Sequence, residues 1–330
     1  MKAIRFAGER RIELVERPEP VPVAGEVLLR MRRTALCGSD GKLWLKGAEQ
    51  VPGHEIFGVV DAPGHAMHGR RALAYMPVFC GTCGRCRAGQ THTCETTSTL
   101  IGWNRDGGYA EALALPAANL LPVPDDIPDD LAPLLLDTIG TASHALRLVA
   151  PLLGGGAPGH LAGLRILVTG AGPVGLGGLV ALLDQGASEV HVSDPRPARA
   201  ALAAELGARP WPVGDRSRRF DLVLETSGHL AARDQGLEVL APQGVMLWVG
   251  ENDAPWTVHE TRPVRRKDFF LVRSFYFPRG DHEANVALLR RQRARYERLV
   301  DRVFDFDAMA EEFPRFMAGE RIKPLLRGPA

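Results

Sequence analysis

The chain has 330 residues, more than one hydrophobic core normally holds, so two domains of roughly 150 residues each are expected. Its 40 Lys and Arg stand against 39 Asp and Glu, which leaves no net field to draw in nucleic acid or an anionic membrane. No basic leader with an apolar run opens the sequence, and no apolar stretch reaches the ~18 residues that span a bilayer, so a cytoplasmic protein with no membrane partner is expected.

The amino-terminal third reads as short strands joined by turns. Ala3 to Phe6 and Val27 to Met31 carry β-favouring residues, and the proline-rich stretch from Pro18 to Pro22 separates them. Cys37-Gly-Ser-Asp40 and Gly53-His-Glu55 then fall on loops of this β-rich part. Cys37, His54 and Glu55 offer thiolate, imidazole and carboxylate, the three ligand types that a catalytic zinc takes while keeping one position open.

Four of the five cysteines follow within fifteen positions, as Cys80-x2-Cys83-x2-Cys86-x7-Cys94. In a cytosolic enzyme such clustering points to a metal rather than to disulfides. A ferredoxin-type cluster would place its fourth cysteine three residues on, before a proline, so the spacing favours a closed, structural zinc site.

Asp106-Gly-Gly-Tyr-Ala-Glu111 lies in a further β-like section, and Pro122 to Asp130 is a polar turn region. Leu131 to Val149 has apolar residues at helical spacing, with Asp137 in the middle of the apolar face. A carboxylate there is costly unless it is paired or holds a metal. The Gly- and Pro-rich run from Ala150 to Gly163 predicts a domain boundary.

A buried strand, Leu164 to Gly170, leads into Gly170-Ala-Gly172-Pro173-Val174-Gly175, which opens a helix through Leu183; the next strand, Glu189 to Ser193, ends at Asp194. Strand, glycine turn, helix and an acid about twenty residues on form the dinucleotide fingerprint, with the pyrophosphate at the helix N-terminus and Asp194 on the ribose hydroxyls. Asp194 favours NAD over NADP, while Arg196 and Arg199 nearby are residues that can accept a 2′-phosphate. Helices over Ala198 to Leu206 and Leu230 to Leu240 alternate with strands over Leu222 to Glu225 and Val245 to Val249, which implies a parallel sheet covered on both faces. Arg290 to Arg298 reads as a solvated helix face, and Phe304 to Leu326 as a helix and a last strand that return to the first domain.

Taken together, Cys37-Gly-Ser-Asp40, Gly53-His-Glu-x-x-Gly58, the four-cysteine lobe, Asp106 to Glu111, Gly170 to Gly175 and the terminal Ile322-Lys323 resemble the zinc-dependent medium-chain alcohol dehydrogenases over essentially the whole chain. The resemblance implies an α/β protein: a GroES-like β-rich catalytic domain over 1–149 and 299–330, carrying the zinc lobe at 80–94, and a Rossmann doubly wound parallel-sheet domain for NAD over 150–298. It implies Cys37 and His54 as ligands of a catalytic zinc, Glu55 behind or on the metal, Ser39 as proton carrier, Asp137 at the third ligand position and, four residues on, Thr141 against the nicotinamide. Arg199 is placed with the cofactor, and Lys323 matches a basic residue that reaches the pyrophosphate. The implied activity is hydride transfer between NAD and a secondary alcohol, polyol or sugar-type hydroxyl of a small molecule, by an assembly of two or four copies. Rival readings are a zinc-free reductase of the same superfamily and a catalytically silent dinucleotide- and zinc-binding sensor; the intact set Cys37, Ser39 and His54 speaks against both.

Overall fold

A computed structural model describes residues 1–155 and 159–329 and divides the chain into two compact units. The first comprises 1–136, 278–283 and 297–330, and the second 137–277 and 284–296. Residues 156–158 of the Gly- and Pro-rich run lie outside the described residues.

The first unit is built on a mixed sheet whose central strand is Glu26–Ala35. Val27, Leu29 and Met31 of that strand are buried in a core shared with Ile4, Phe6, Tyr109, Phe313 and Leu326. Glu55–Asp61 pairs antiparallel along one edge of the central strand, with Ala35 opposite Glu55. Leu325–Arg327 pairs antiparallel with the same strand, with Leu325 also opposite Ala35. This double register fixes the site, because the chain leaves Ala35 for Cys37 at the point where His54 enters one neighbouring strand and Lys323 enters the other.

The second unit carries a six-stranded parallel sheet in the order Arg209–Pro210, Glu189–Ser193, Arg165–Thr169, Phe220–Glu225, Leu240–Trp248, Phe270–Arg273. The chain starts in the middle, winds out one way, returns and winds out the other, the dinucleotide-binding order with its switch point between Arg165–Thr169 and Phe220–Glu225. Pro173–Asp184 is apolar almost all round and buries eight of its residues, as a helix sandwiched inside a unit must. Among the described residues no helix is long and apolar enough to cross a membrane.

Two expectations are corrected. Leu131 to Val149 is not one helix: a 3-10 turn over Ala132–Leu135 ends where Leu136 leaves helical geometry (φ −81°, ψ −107°), a π-turn runs over Asp137–Thr141, and the α-helix spans only Ala142–Val149. The boundary also falls at 136/137 and not at 149/150. The cause is close packing within the second unit. A Cβ on Gly177 would lie 2.0 Å from the Thr138 carbonyl oxygen, and one on Gly178 3.7 Å from Ala142 Cβ, so the Asp137–Val149 segment sits directly on the Pro173–Asp184 helix. The chain also revisits the first unit earlier than expected. Arg279 donates to the carbonyls of Ala118 and Leu120 (both 3.1 Å), and His282 Nε2 lies 2.8 Å from the Pro122 carbonyl.

Candidate active site

Two arms of the first unit carry Cys37, His54 and Glu55. Cys37 precedes a 3-10 turn over Gly38–Asp40, and His54-Glu55 opens the strand Glu55–Asp61. The Cys37 sulfur, a His54 nitrogen and a Glu55 oxygen all lie within 4.8 Å of one another. Gly53 has φ +91°, in the left-handed region, and a Cβ there would sit 2.6 Å from the Tyr109 ring, so the approach to His54 needs glycine on both counts.

His54 and Glu55 are both buried. His54 Nδ1 stands 3.0 Å from Asp40 Oδ1, so Nε2 is the ring nitrogen turned away from that carboxylate, as when a carboxylate backs a metal-binding imidazole. Asp40 Oδ2 accepts the Tyr109 hydroxyl at 2.6 Å and the Cys37 amide at 3.4 Å. Burial, reinforced by the Asp40 carboxylate, holds the Tyr109 phenol well above its ordinary pKa, so it remains a donor. Ser39 Oγ donates to Cys37 Sγ at 3.2 Å. The donor set of thiolate, imidazole and carboxylate, with its imidazole oriented from behind, fits zinc.

Lys323 is corrected. Its ammonium is fully buried, donating to the Leu36 carbonyl at 3.0 Å and to Glu55 Oε1. An ammonium enclosed in the first unit on a carboxylate has no exposed face for a pyrophosphate, and its effect falls on Glu55. Asp137 and Thr141 begin and end the π-turn of the second unit, both half-buried.

In the cysteine lobe, Cys80 and Cys86 have sulfurs 3.9 Å apart, as do Cys83 and Cys94. Thiolates at ~2.3 Å from a tetrahedral ion stand ~3.8 Å apart, whereas a disulfide would need ~2.05 Å, so the four sulfurs fit a closed zinc site. Hydrogen bonds from Thr82, Thr96 and backbone amides lower the Cys80 thiol to about 5. Cys94 falls to about 7, because donors at Thr96 and Cys80 outweigh its burial. Cys86, buried and surrounded by the other sulfurs, is pushed up to about 12.

In the second unit Gly170 turns with φ +93°, Gly172 caps the helix, and Pro173 and Val174 form its first two positions. A Cβ on Gly175 would lie 1.9 Å from the Gly170 carbonyl oxygen. Asp194 Oδ2 accepts the Ala171 amide and its Oδ1 the Arg196 amide, both at 2.8 Å, which holds the carboxylate against the glycine turn. Arg199 Nη1 comes within 3.8 Å of the point where Gly172 would carry a Cβ, so its charge lies beside the same turn.

Sequence reasoning gave no role to Asp40 or Tyr109, although both lie in motifs it quoted. It also passed over a buried ion pair at the carboxyl end of the parallel sheet. Arg233 Nε lies 3.5 Å from Glu225 Oε2, its Nη2 donates to the Gly250 carbonyl at 2.9 Å, and its guanidinium sits 4.3 Å from the Trp248 ring centroid.

The family model of the alcohol dehydrogenase GroES-like domain matches residues 23–125. Among solved structures, alcohol dehydrogenase TADH from Thermus sp. ATN1 is similar at 28% identity with a TM-score of 0.86, covering 100% of both chains. A thermostable alcohol dehydrogenase from Pyrobaculum aerophilum gives 25% and 0.83, covering 99% of both. L-threonine 3-dehydrogenase from Shewanella sp. (strain W3-18-1) is 34% identical over 275 residues, 76% of this chain and 77% of that one. The L-threonine 3-dehydrogenase of Mesorhizobium japonicum is 35% identical over 253 residues, 69% of this chain and 70% of its own. Such identity runs through both units and carries the dehydrogenase architecture with it, so the chain belongs to the zinc-dependent medium-chain alcohol dehydrogenase family, as an oxidoreductase acting on hydroxyl groups.

Proposed function

We propose that the protein transfers a hydride between NAD and the secondary hydroxyl of a small alcohol, polyol or hydroxy amino acid, using one catalytic and one structural zinc. The observation that carries this reading is the convergence of Cys37 and His54, with the imidazole backed by Asp40. Cys37, His54 and Asp137 would hold the catalytic metal, Asp137 being assigned from its position four residues before Thr141. Glu55 would stand behind the metal under the hold of Lys323. When bound, zinc supplies a Lewis acid that lowers the pKa of the substrate hydroxyl. Ser39 both donates and accepts through one oxygen and would carry the alcohol proton away. Thr141 would pack against the nicotinamide. Gly170, Gly172, Pro173, Val174 and Gly175 would seat the pyrophosphate with Arg199 beside them, and Asp194 would hold the ribose diol.

Threonine 3-dehydrogenases oxidise at a secondary carbinol by their name, so L-threonine heads the substrate panel, followed by polyols, sugar alcohols and simple secondary alcohols. Cofactor reduction is read by absorbance with NAD and NADP in parallel. Turnover with NAD supports the reading, equal or better efficiency with NADP overturns the cofactor assignment, and no turnover from protein holding two metals makes the chain a silent binding protein. Asp137→Asn should lose the catalytic zinc and keep the other; a variant that retains both metals and normal turnover transfers the ligand role to Glu55.

A reduced cysteine cluster suits the cytoplasm. The edge strand Phe270–Arg273, with Phe270 and Leu271 exposed, supports a homodimer formed by pairing that edge with its copy. Sedimentation showing only monomer at micromolar concentration would remove the dimer.

A further inference from the structure

The turn that begins at Asp106 is laddered onto the His54 arm. Asp106 Oδ1 accepts the Val51 amide at 2.8 Å, Gly107 donates to the Val51 carbonyl at 2.7 Å, Gly108 to Gly53 at 2.8 Å, and Tyr109 to Pro52 at 2.9 Å. The approach is close enough that a Cβ on Gly107 would fall 2.1 Å from the Gly53 carbonyl oxygen. From this turn the Tyr109 ring lies across Gly53, and its hydroxyl crosses to Asp40 on the Cys37 arm. The side chain is fully buried, so water does not compete for that hydrogen bond.

We propose that Tyr109 is a positioning residue, whose hydroxyl fixes the spacing of the Cys37 and His54 arms and the orientation of the imidazole through Asp40, and thereby sets metal affinity at this site. The inference rests on the zinc reading above. Asp40 is shared: one oxygen faces His54 Nδ1, and the other takes the Tyr109 hydroxyl and the Cys37 amide. Without the hydroxyl, Oδ2 keeps only the longer of those two contacts, the carboxylate is freer to rotate, and the imidazole loses part of its orientation. Ring packing is a separate matter, since the ring also contacts Gly53 and lies 6.0 Å from the Phe6 ring. Tyr109→Phe keeps the ring and removes the hydroxyl alone.

The test loads the full-length protein with zinc at both sites and titrates it against a chelator, with the four-cysteine site as internal reference. Cobalt at the catalytic site gives a second readout, a visible spectrum sensitive to ligand geometry. Removing a partner behind a metal ligand weakens binding about 10–100-fold, and a hydroxyl one step further out belongs at the lower end, so Tyr109→Phe should bind about tenfold more weakly at Cys37 and His54. Its cobalt bands should shift while the four-cysteine site stays unchanged. In an Asp40→Asn background the same change should cost no more than about twofold, because the route through Asp40 is already broken. Affinity and cobalt bands equal to those of the parent overturn the inference alone, as does an undiminished loss in the Asp40→Asn background. A parent protein that holds metal only at the four cysteines overturns the zinc reading and this inference with it.

Discussion

Replacing Arg233 with Met tests the buried ion pair of the second unit. Arg233 is 1% exposed and Glu225 fully buried, so the substitution removes a cation from an interior where nothing polar takes its place. Four interactions go with it: the 3.5 Å contact with Glu225 Oε2, the bond to the Gly250 carbonyl, and the stacking on Trp248 and, at 5.8 Å, on Trp256. Breaking one side of a buried pair costs about 3–5 kcal/mol. Glu225 Oε1 keeps its three donors, the Ser227 amide (2.7 Å), the Ser227 hydroxyl (2.6 Å) and the Gly228 amide (2.9 Å), which places the expected loss near the lower end, about 3 kcal/mol. Spread over a unit of about 150 residues, at ~2–4 °C per kcal/mol, this lowers the unfolding midpoint by about 6–12 °C. Differential scanning calorimetry of the unit's transition measures it. Glu225→Gln added to Arg233→Met should recover part of the loss, because the stranded charge is then gone. A single variant melting within about 2 °C of the parent, or a double variant less stable than the single, refutes the account of the pair as a charge that must be answered.

Gly175→Ala forces a methyl to 1.9 Å from the Gly170 carbonyl oxygen, a backbone atom that cannot yield without opening the turn. NAD affinity, read by fluorescence titration, should fall at least about tenfold, the equivalent of ~1.4 kcal/mol. Cys83→Ser should remove about one zinc per chain while the metal at Cys37 and His54 stays; iron and sulfide in the parent protein would instead establish a cluster. Burial depresses the His282 imidazole below its ordinary value, with Arg279 pushing the same way and the bond to Pro122 opposing. The unfolded chain therefore takes up the proton first. The stability that neutral His282 contributes is complete above ~6.5 and is lost as pH falls through the folded value. Urea titrations from pH 7.5 to 5 should show this loss, and His282→Gln should flatten the curve, its amide still able to reach Pro122; an unchanged slope would remove His282 as the cause.

Where the governing interactions are local, the elements were legible. Glu189–Ser193 is a strand over the predicted residues, and the helix from Pro173 starts where glycine and proline mark it. The segment from Leu131 to Val149 misled because apolar spacing reports which residues are buried and not which hydrogen bonds they make; Leu136 breaks the helix although its side chain fits the pattern. Lys323 misled for a related reason. A lysine at this position matches a pyrophosphate contact until the strand it precedes is known to pair beside Ala35, which buries its ammonium on Glu55, 268 positions away.

The sequence by itself determined the composition of the site: which thiols, imidazole, carboxylates and glycines are present, and the spacings that bring four cysteines to one point or open a helix toward a phosphate. These are short-range properties, set by backbone reach and by the conformations each residue type allows. Only the tertiary structure decided how those groups support one another. The register that sets Ala35 against both Glu55 and Leu325 brings the Cys37 arm, the His54 arm and Lys323 together, and the Tyr109 hydroxyl meets Asp40 across 69 positions of chain. A sheet register is a collective choice of many paired residues, and shifting it by one residue would turn every side chain of a strand to the opposite face.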